Sequence, residues 1–137
     1  MRRVRKNLTS VFILLALSVL SLSAQEDSDI IDNVQEALKS SNSKELAKHL
    51  NERVIIRLDG KNRTEYSISQ AEIVLKQFFQ KHPADETDFI HQGNSPGGII
   101  YAIGNYTSGN TSYRIALRAK KYKDSYKVYR LEFSKPK

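Results

Sequence analysis

The stretch HQGNSPGGIIYAIGNY, residues 91–106, sets His91 among Gly93, Gly97, Gly98 and Gly104, four of the six glycines in a chain of 137 residues. A phosphate cradle needs its glycines followed by Lys and Ser or Thr. A dinucleotide loop needs them at one-then-two spacing leading into a helix. Here Gly98 leads instead into Ile99-Ile100-Tyr101-Ala102-Ile103, which has the composition of a strand. Ser95-Pro96-Gly97-Gly98 places Pro and then Gly at the central positions of a type II turn. The cluster therefore reads as a β-hairpin.

Side chains alternate across a strand, so a hairpin assigns every residue to a face. With Ser95 opposite Gly98, Phe89 faces Gly104 and His91 faces Ala102. Pairing across Thr107-Ser108-Gly109-Asn110 by the same logic puts Gly104, Ala102 and Ile100 beside Tyr113, Ile115 and Leu117. A last hairpin over Lys123 to Ser125 sets Leu117 and Ile115 against Leu131 and Phe133, with Tyr129 next to Ala119. The expected core face is then Phe89, His91, Ile100, Tyr113, Ile115, Leu117, Tyr129, Leu131 and Phe133. Ala102 and Gly104 leave room near His91. That hollow either accommodates Phe89, with His91 hydrogen-bonded like most buried polar groups, or forms a pocket in which His91 contacts a ligand or moves a proton. His91, Tyr113, Tyr129 and Phe89 are the candidate ligand-binding residues.

The opposite face collects Ile90, Ile99, Tyr101 and Ile103 next to Arg114, Arg118, Lys120 and Arg130. A solvated sheet face is mostly polar. An apolar patch rimmed by arginines reads as an interface, with a second copy or with an acidic partner, unless a bulge reassigns the parity.

Upstream, Ile30, Ile31, Val34, Ala37 and Leu38 are spaced for a helix over 29–40, and Ser43 is positioned to cap a second helix carrying Leu46, Ala47 and Leu50. Val54, Ile56 and Leu58 mark one face of a strand, followed by a turn at Asp59-Gly60 and a second strand to Ile68. Ser69 with Glu72 forms a capping box, Ile68 with Ile73 a hydrophobic staple, and Ala71, Val74, Leu75 and Phe78 the buried stripe of a helix that Pro83 ends. The order is helix, helix, two strands, helix, four strands, with no repeat or linker.

Arg2, Arg3, Arg5 and Lys6, the apolar run Val11 to Leu20, and Ser21-Leu22-Ser23-Ala24 have the layout of a cleavable secretory signal peptide over residues 1–24. A single domain over 25–137, periplasmic or secreted and with no membrane span once the leader is cleaved, is the expectation. The chain has 22 basic and 15 acidic residues; without the leader's four basic residues the balance is 18 minus 15, or +3, too mild to suggest nucleic acid. There is no cysteine, so no disulfide or thiolate chemistry is available. His49, His82 and His91 lack ligand spacing, and no metal site or cofactor is expected.

The element order, with FFQKHP, FIHQG, GGIIYAIGNY, YRIALRAKK and a closing YRLEF, resembles a family of exported bacterial proteins, domain of unknown function 4783, across Asp29 to Phe133. That family is similar to the nuclear transport factor 2-like (cystatin-like) superfamily. The resemblance implies an α+β fold: N-terminal helices packed on a strongly curved, mainly antiparallel sheet of about six strands, forming a cone with an open mouth. The superfamily includes ketosteroid isomerases and dehydratases, along with members that bind ligands or dimerise through the sheet's outer face. It carries no catalytic residue onto this chain, because the expected core face holds no aspartate. The expected function is a non-catalytic module binding a small ligand or a protein. An isomerase, dehydratase or hydrolase using His91, and a purely structural dimer paired through the outer face, are the alternatives.

Overall fold

The computed structural model describes residues 29–136, and the leader expected over 1–24 lies outside the described residues. Helix α1, residues 29–39, buries Ile30, Ile31, Val34, Ala37 and Leu38. It stops because Ser41 takes a left-handed conformation, φ 51°, with the N–H groups of Ser41 and Asn42 returning to the carbonyls of Leu38 and Ala37. Asn42 also caps α2, Ser43–Ala47, its side chain accepting from the Glu45 N–H at 3.0 Å. The cap thus lies one residue before the expected Ser43. Leu50, expected on this helix, instead opens β1, Leu50–Arg57.

Strand β1 pairs antiparallel with β2, Thr64–Ser67, through Val54 opposite Tyr66 and Ile56 opposite Thr64. The turn expected at Asp59-Gly60 is present, with the Lys61 N–H donating to the Leu58 carbonyl at 3.0 Å, inside a loop over 58–63. Helix α3, Ile68–Lys81, has its capping box at Ser67 and Gln70, not at Ser69 and Glu72. Gln offers the same acceptor as Glu, so the box can sit two residues earlier. From that start the helix buries Ala71, Leu75, Phe78 and Phe79, while Ile73 stays 57% exposed and forms no staple.

Strands β3 (Glu86–Ser95), β4 (Ile99–Ser108), β5 (Thr111–Tyr122) and β6 (Ser125–Ser134) complete a curved, open, six-stranded sheet in the order β2-β1-β6-β5-β4-β3. Every pairing is antiparallel except β1 with β6. One face is buried under the helices, with Ile115, Leu131 and Phe133 fully enclosed. Register interruptions occur in β1–β6, β3–β4 and β5–β6. Such bulges bend a strand and increase its twist, which curves the sheet around the helices.

Strand β4 pairs with β5 as Ala102–Leu117, Gly104–Ile115 and Tyr106–Tyr113, two residues from the expected register, so each side chain keeps its expected face. The β5–β6 pairs Ile115–Phe133 and Leu117–Leu131 stand as expected. Beyond Arg118–Arg130 the ladder skips Tyr129, and Val128 occupies the inward place beside Ala119 assigned to Tyr129. In β3–β4 the ladder skips Ile90: Phe89 faces Gly104, but His91 faces Ile103 and Gln92 faces Ala102. The hairpin loop is Pro96-Gly97-Gly98, with φ +84° and +73° at the two glycines, and Ser95 closes on Ile99 instead of Gly98. One extra residue per strand flips all that follows, so His91 and Tyr129 leave the core face.

The bulge in β3 has a steric signature. A Cβ on Gly104 would lie 2.0 Å from the Asp88 carbonyl oxygen and 2.7 Å from the Phe89 Cα, so only glycine admits this backbone approach. The Phe89 N–H donates to the Gln35 side chain of α1 at 2.9 Å, which ties the bulge to the first helix. Among the described residues no helix is long and apolar enough to cross a membrane.

Candidate functional site

The interior of the cone is occupied by an aromatic cluster. The Phe78 ring lies 4.6 Å from Phe133, 5.6 Å from Tyr113 and 5.8 Å from Tyr106, and Phe79 stacks on Tyr106 at 6.2 Å. The Tyr106 hydroxyl donates to the His82 carbonyl, and burial pushes its pKa up to about 12, so it stays a neutral donor. What remains open is a cleft of about 580 Å³ at the mouth, between the β1–β2 loop, the last turns of α3, Tyr113 on β5 and Lys135 beyond β6.

Ile56, Tyr66, Phe78 and Tyr113 supply the apolar wall of this cleft. His82 is the residue that terminates α3, at φ −134° and ψ 66°, and its Nδ1 is 3.4 Å from the Tyr113 hydroxyl. The helix sets this geometry: Phe78 is four residues before His82, on the same face, and the two rings lie 5.2 Å apart. Burial, and secondarily the Asp59 carboxylate, raises the Tyr113 pKa, so Tyr113 also presents a neutral hydroxyl.

The rim is basic. Lys61, Lys81 and Lys135 line it, against Asp59 as the carboxylate. Asp59 is already engaged, accepting from the Lys135 backbone N–H at 2.8 Å with the Lys135 ammonium 4.0 Å away. The Lys135 ammonium also stands 6.0 Å from the Tyr113 ring centre. Among the described residues, no group of three or more His, Asp and Glu side chains gathers as a metal site.

Of the residues expected to form a pocket, Tyr113 alone lines this cleft. Phe89 is on the inner face but on the edge strand β3, half-buried against the core beside Gln35. His91 is exposed on the outer face, and Tyr129 sits at the β6 bulge, its ring 5.7 Å from the Lys120 ammonium. His82, Tyr66 and the three lysines were not singled out from sequence. The one local signal was the spacing Phe78 to His82 just before Pro83, which puts an aromatic ring under a histidine at a helix end.

The expected outer face is present. Ile99, Tyr101 and Ile103 are half-exposed and alternate with the buried residues of β4, and Arg114 and Arg118 stand beside them on β5. Ile90, the bulge residue, is 58% exposed. A Cβ on Gly93 would meet the Tyr101 hydroxyl at 2.7 Å, so the tyrosine ring lies across the glycine.

The sequence profile of the domain of unknown function DUF4783 matches residues 31–134. The chain belongs to the DUF4783 family. No protein of curated function matches the sequence. A DUF4783 crystal structure from Bacteroides uniformis is similar at 25% identity and TM-score 0.71, over 77% of this chain and 96% of that one. A second, from Bacteroides ovatus, is similar at 24% identity and TM-score 0.70, over 77% and 94%. The fold extends to a nuclear transport factor 2-like family protein of Streptomyces avermitilis, 9% identical with TM-score 0.68 over 85% and 99%. A ketosteroid isomerase-like protein of Erwinia carotovora atroseptica matches at 10% identity and TM-score 0.68, over 82% and 95%. This DUF4783 chain therefore has the nuclear transport factor 2-like fold.

Proposed function

We propose that the protein is an exported, non-catalytic binding module of the bacterial envelope that holds a small ligand at the mouth of the cone. The ligand has an aromatic or other apolar body and an anionic end. The observation that carries this reading is the make-up of the mouth cleft, an apolar wall of Ile56, Tyr66, Phe78 and Tyr113 beneath a rim of Lys61, Lys81 and Lys135. Small-molecule sites usually have a volume of ~300–1,000 Å³. The exposed lining of this cleft is more polar than apolar, with Ile56, Phe78 and Tyr113 buried at its floor, which suits a ligand with a charged end. An enzyme with His91 as general base gains no support, since His91 is exposed on the other face of the sheet. Export rests on the basic, apolar and small-residue layout of residues 1–24.

Native mass spectrometry of the protein purified from its own cell envelope tests ligand and processing together. The expected result is an N-terminus at Gln25 and a mass excess that disappears on denaturation. Calorimetric titration with aryl and long-chain carboxylates should then show binding that Lys81→Glu weakens about tenfold. A chain that retains nothing and binds none of these carboxylates would sink the proposal.

A further inference from the structure

The outer face of the sheet carries an arginine cluster that the fold itself does not neutralise. Arg118 and Arg130 are directly opposed across β5 and β6, with Tyr101 beside Arg118 and Ile55 beside Arg130. Two residues along each strand, on the same face, Arg57 faces Glu132, which faces Ala116, which faces Ile103. Arg63 pairs with Glu132, and Arg114 opposes Ser134. Five arginines thus surround one carboxylate. That carboxyl is held below its usual pKa first by the Arg63 hydrogen bond and then by the charges of Arg63, Arg130 and Arg57.

Two features here work against folding. Like charges directly opposed on neighbouring strands repel. The Arg130 Nε is buried without a hydrogen-bond partner, which costs free energy wherever it occurs. Arg57, Arg114 and Arg118 make no ion pair among the described residues. A concavity of about 310 Å³ opens over the cluster, lined by Arg63, Arg114, Arg118, Arg130, Tyr101 and Ile103 among others.

We infer that this face docks an acidic segment of a partner protein, its carboxylates seated among Arg114, Arg118 and Arg130 and its apolar side chains on Tyr101 and Ile103. Planar guanidinium forks match carboxylates two bonds at a time, which makes arginine rather than lysine the fitting residue. A bound carboxylate offsets the Arg118–Arg130 repulsion. A second copy laid on this face would bring arginine against arginine. The concavity is at the lower limit of small-molecule sites, while half-exposed Ile99, Tyr101 and Ile103 extend the contact surface past it.

Fluorescence anisotropy with a labelled peptide of alternating Glu and Leu, on the purified protein, is the test. Binding that weakens with salt and falls at least about tenfold in Arg118→Gln is the expected result. Arg114→Gln should weaken it as well. Arg118→Gln without peptide should melt no lower than the parent, because it relieves a like-charge pair, so lost binding cannot be ascribed to unfolding. Equal binding of the peptide with Gln in place of Glu overturns the inference. So does competition by citrate at the peptide's own affinity, which makes the face a small-anion site. Failure to bind the peptide, with a native dimer that Ile103→Asp dissociates, overturns it in favour of pairing between copies.

Discussion

The pairing of β4 with β5 and the pairing of β3 with β4 share a strand, yet only one transmits a face assignment from end to end. Between β4 and β5, nine consecutive residue pairs run from Ile100–Ala119 to Ser108–Thr111 without interruption, so alternation alone sorts inner from outer residues. Between β3 and β4 the extra residue Ile90 breaks the count, and everything on its hairpin side of β3 changes face. Alternation is local bookkeeping, and it holds only as far as the ladder is continuous. The bulge is fixed by a backbone approach at Gly104 and a hydrogen bond from α1, neither of which belongs to the two strands' own pattern.

The contrast can be broken most forcefully at Gly104. Gly104→Ala places a methyl group into the Asp88–Phe89 backbone, and urea unfolding should show a loss of about 3 kcal/mol. A cost near zero would mean the strands do not approach as closely as the bulge requires. A smaller effect is expected from Gln35→Ala, which strands the Phe89 N–H and should cost about 1 kcal/mol. Gln35→Glu keeps an acceptor and should lose less, with slower Phe89 amide exchange than in the alanine variant. The smallest effect is expected from His91→Gln: stability should stay within about 0.5 kcal/mol, as for surface substitutions generally. A loss well beyond that would return His91 to the core face and place the bulge elsewhere.

The legible part of the fold was carried by strong local chemistry. Element order followed from the apolar spacing of Ile30 to Leu38, the Ala71 to Phe78 stripe, and strand runs separated by glycine-containing turns. Helix caps were legible as chemistry but not as position. Ser67–Gln70 and Ser69–Glu72 satisfy the same rule, and burial of Phe79 with exposure of Ile73 shows which one the packing selected. The candidate site was much less legible. Tyr113 was found because the β4–β5 ladder is uninterrupted around it, so its face follows from alternation. His82, Asp59 and Lys135 come from a helix end, a loop and the chain beyond the last strand, and no sequence spacing links them.

The sequence by itself determined the family, the class of fold, the core residues of β4 and β5 with Leu131 and Phe133 of β6, and which residues make up the arginine-rimmed apolar face. These depend on side-chain period and composition, which are properties of contiguous residues. Tertiary structure alone decided that His91 and Tyr129 point outward, that aromatic rings fill the cone, and that the open cleft lies at its mouth under three lysines. Those outcomes depend on where backbones meet: at Gly104 against Asp88, at Arg118 against Arg130, and at Asp59 against Lys135. Such meetings join residues far apart in the chain, and no local pattern records them.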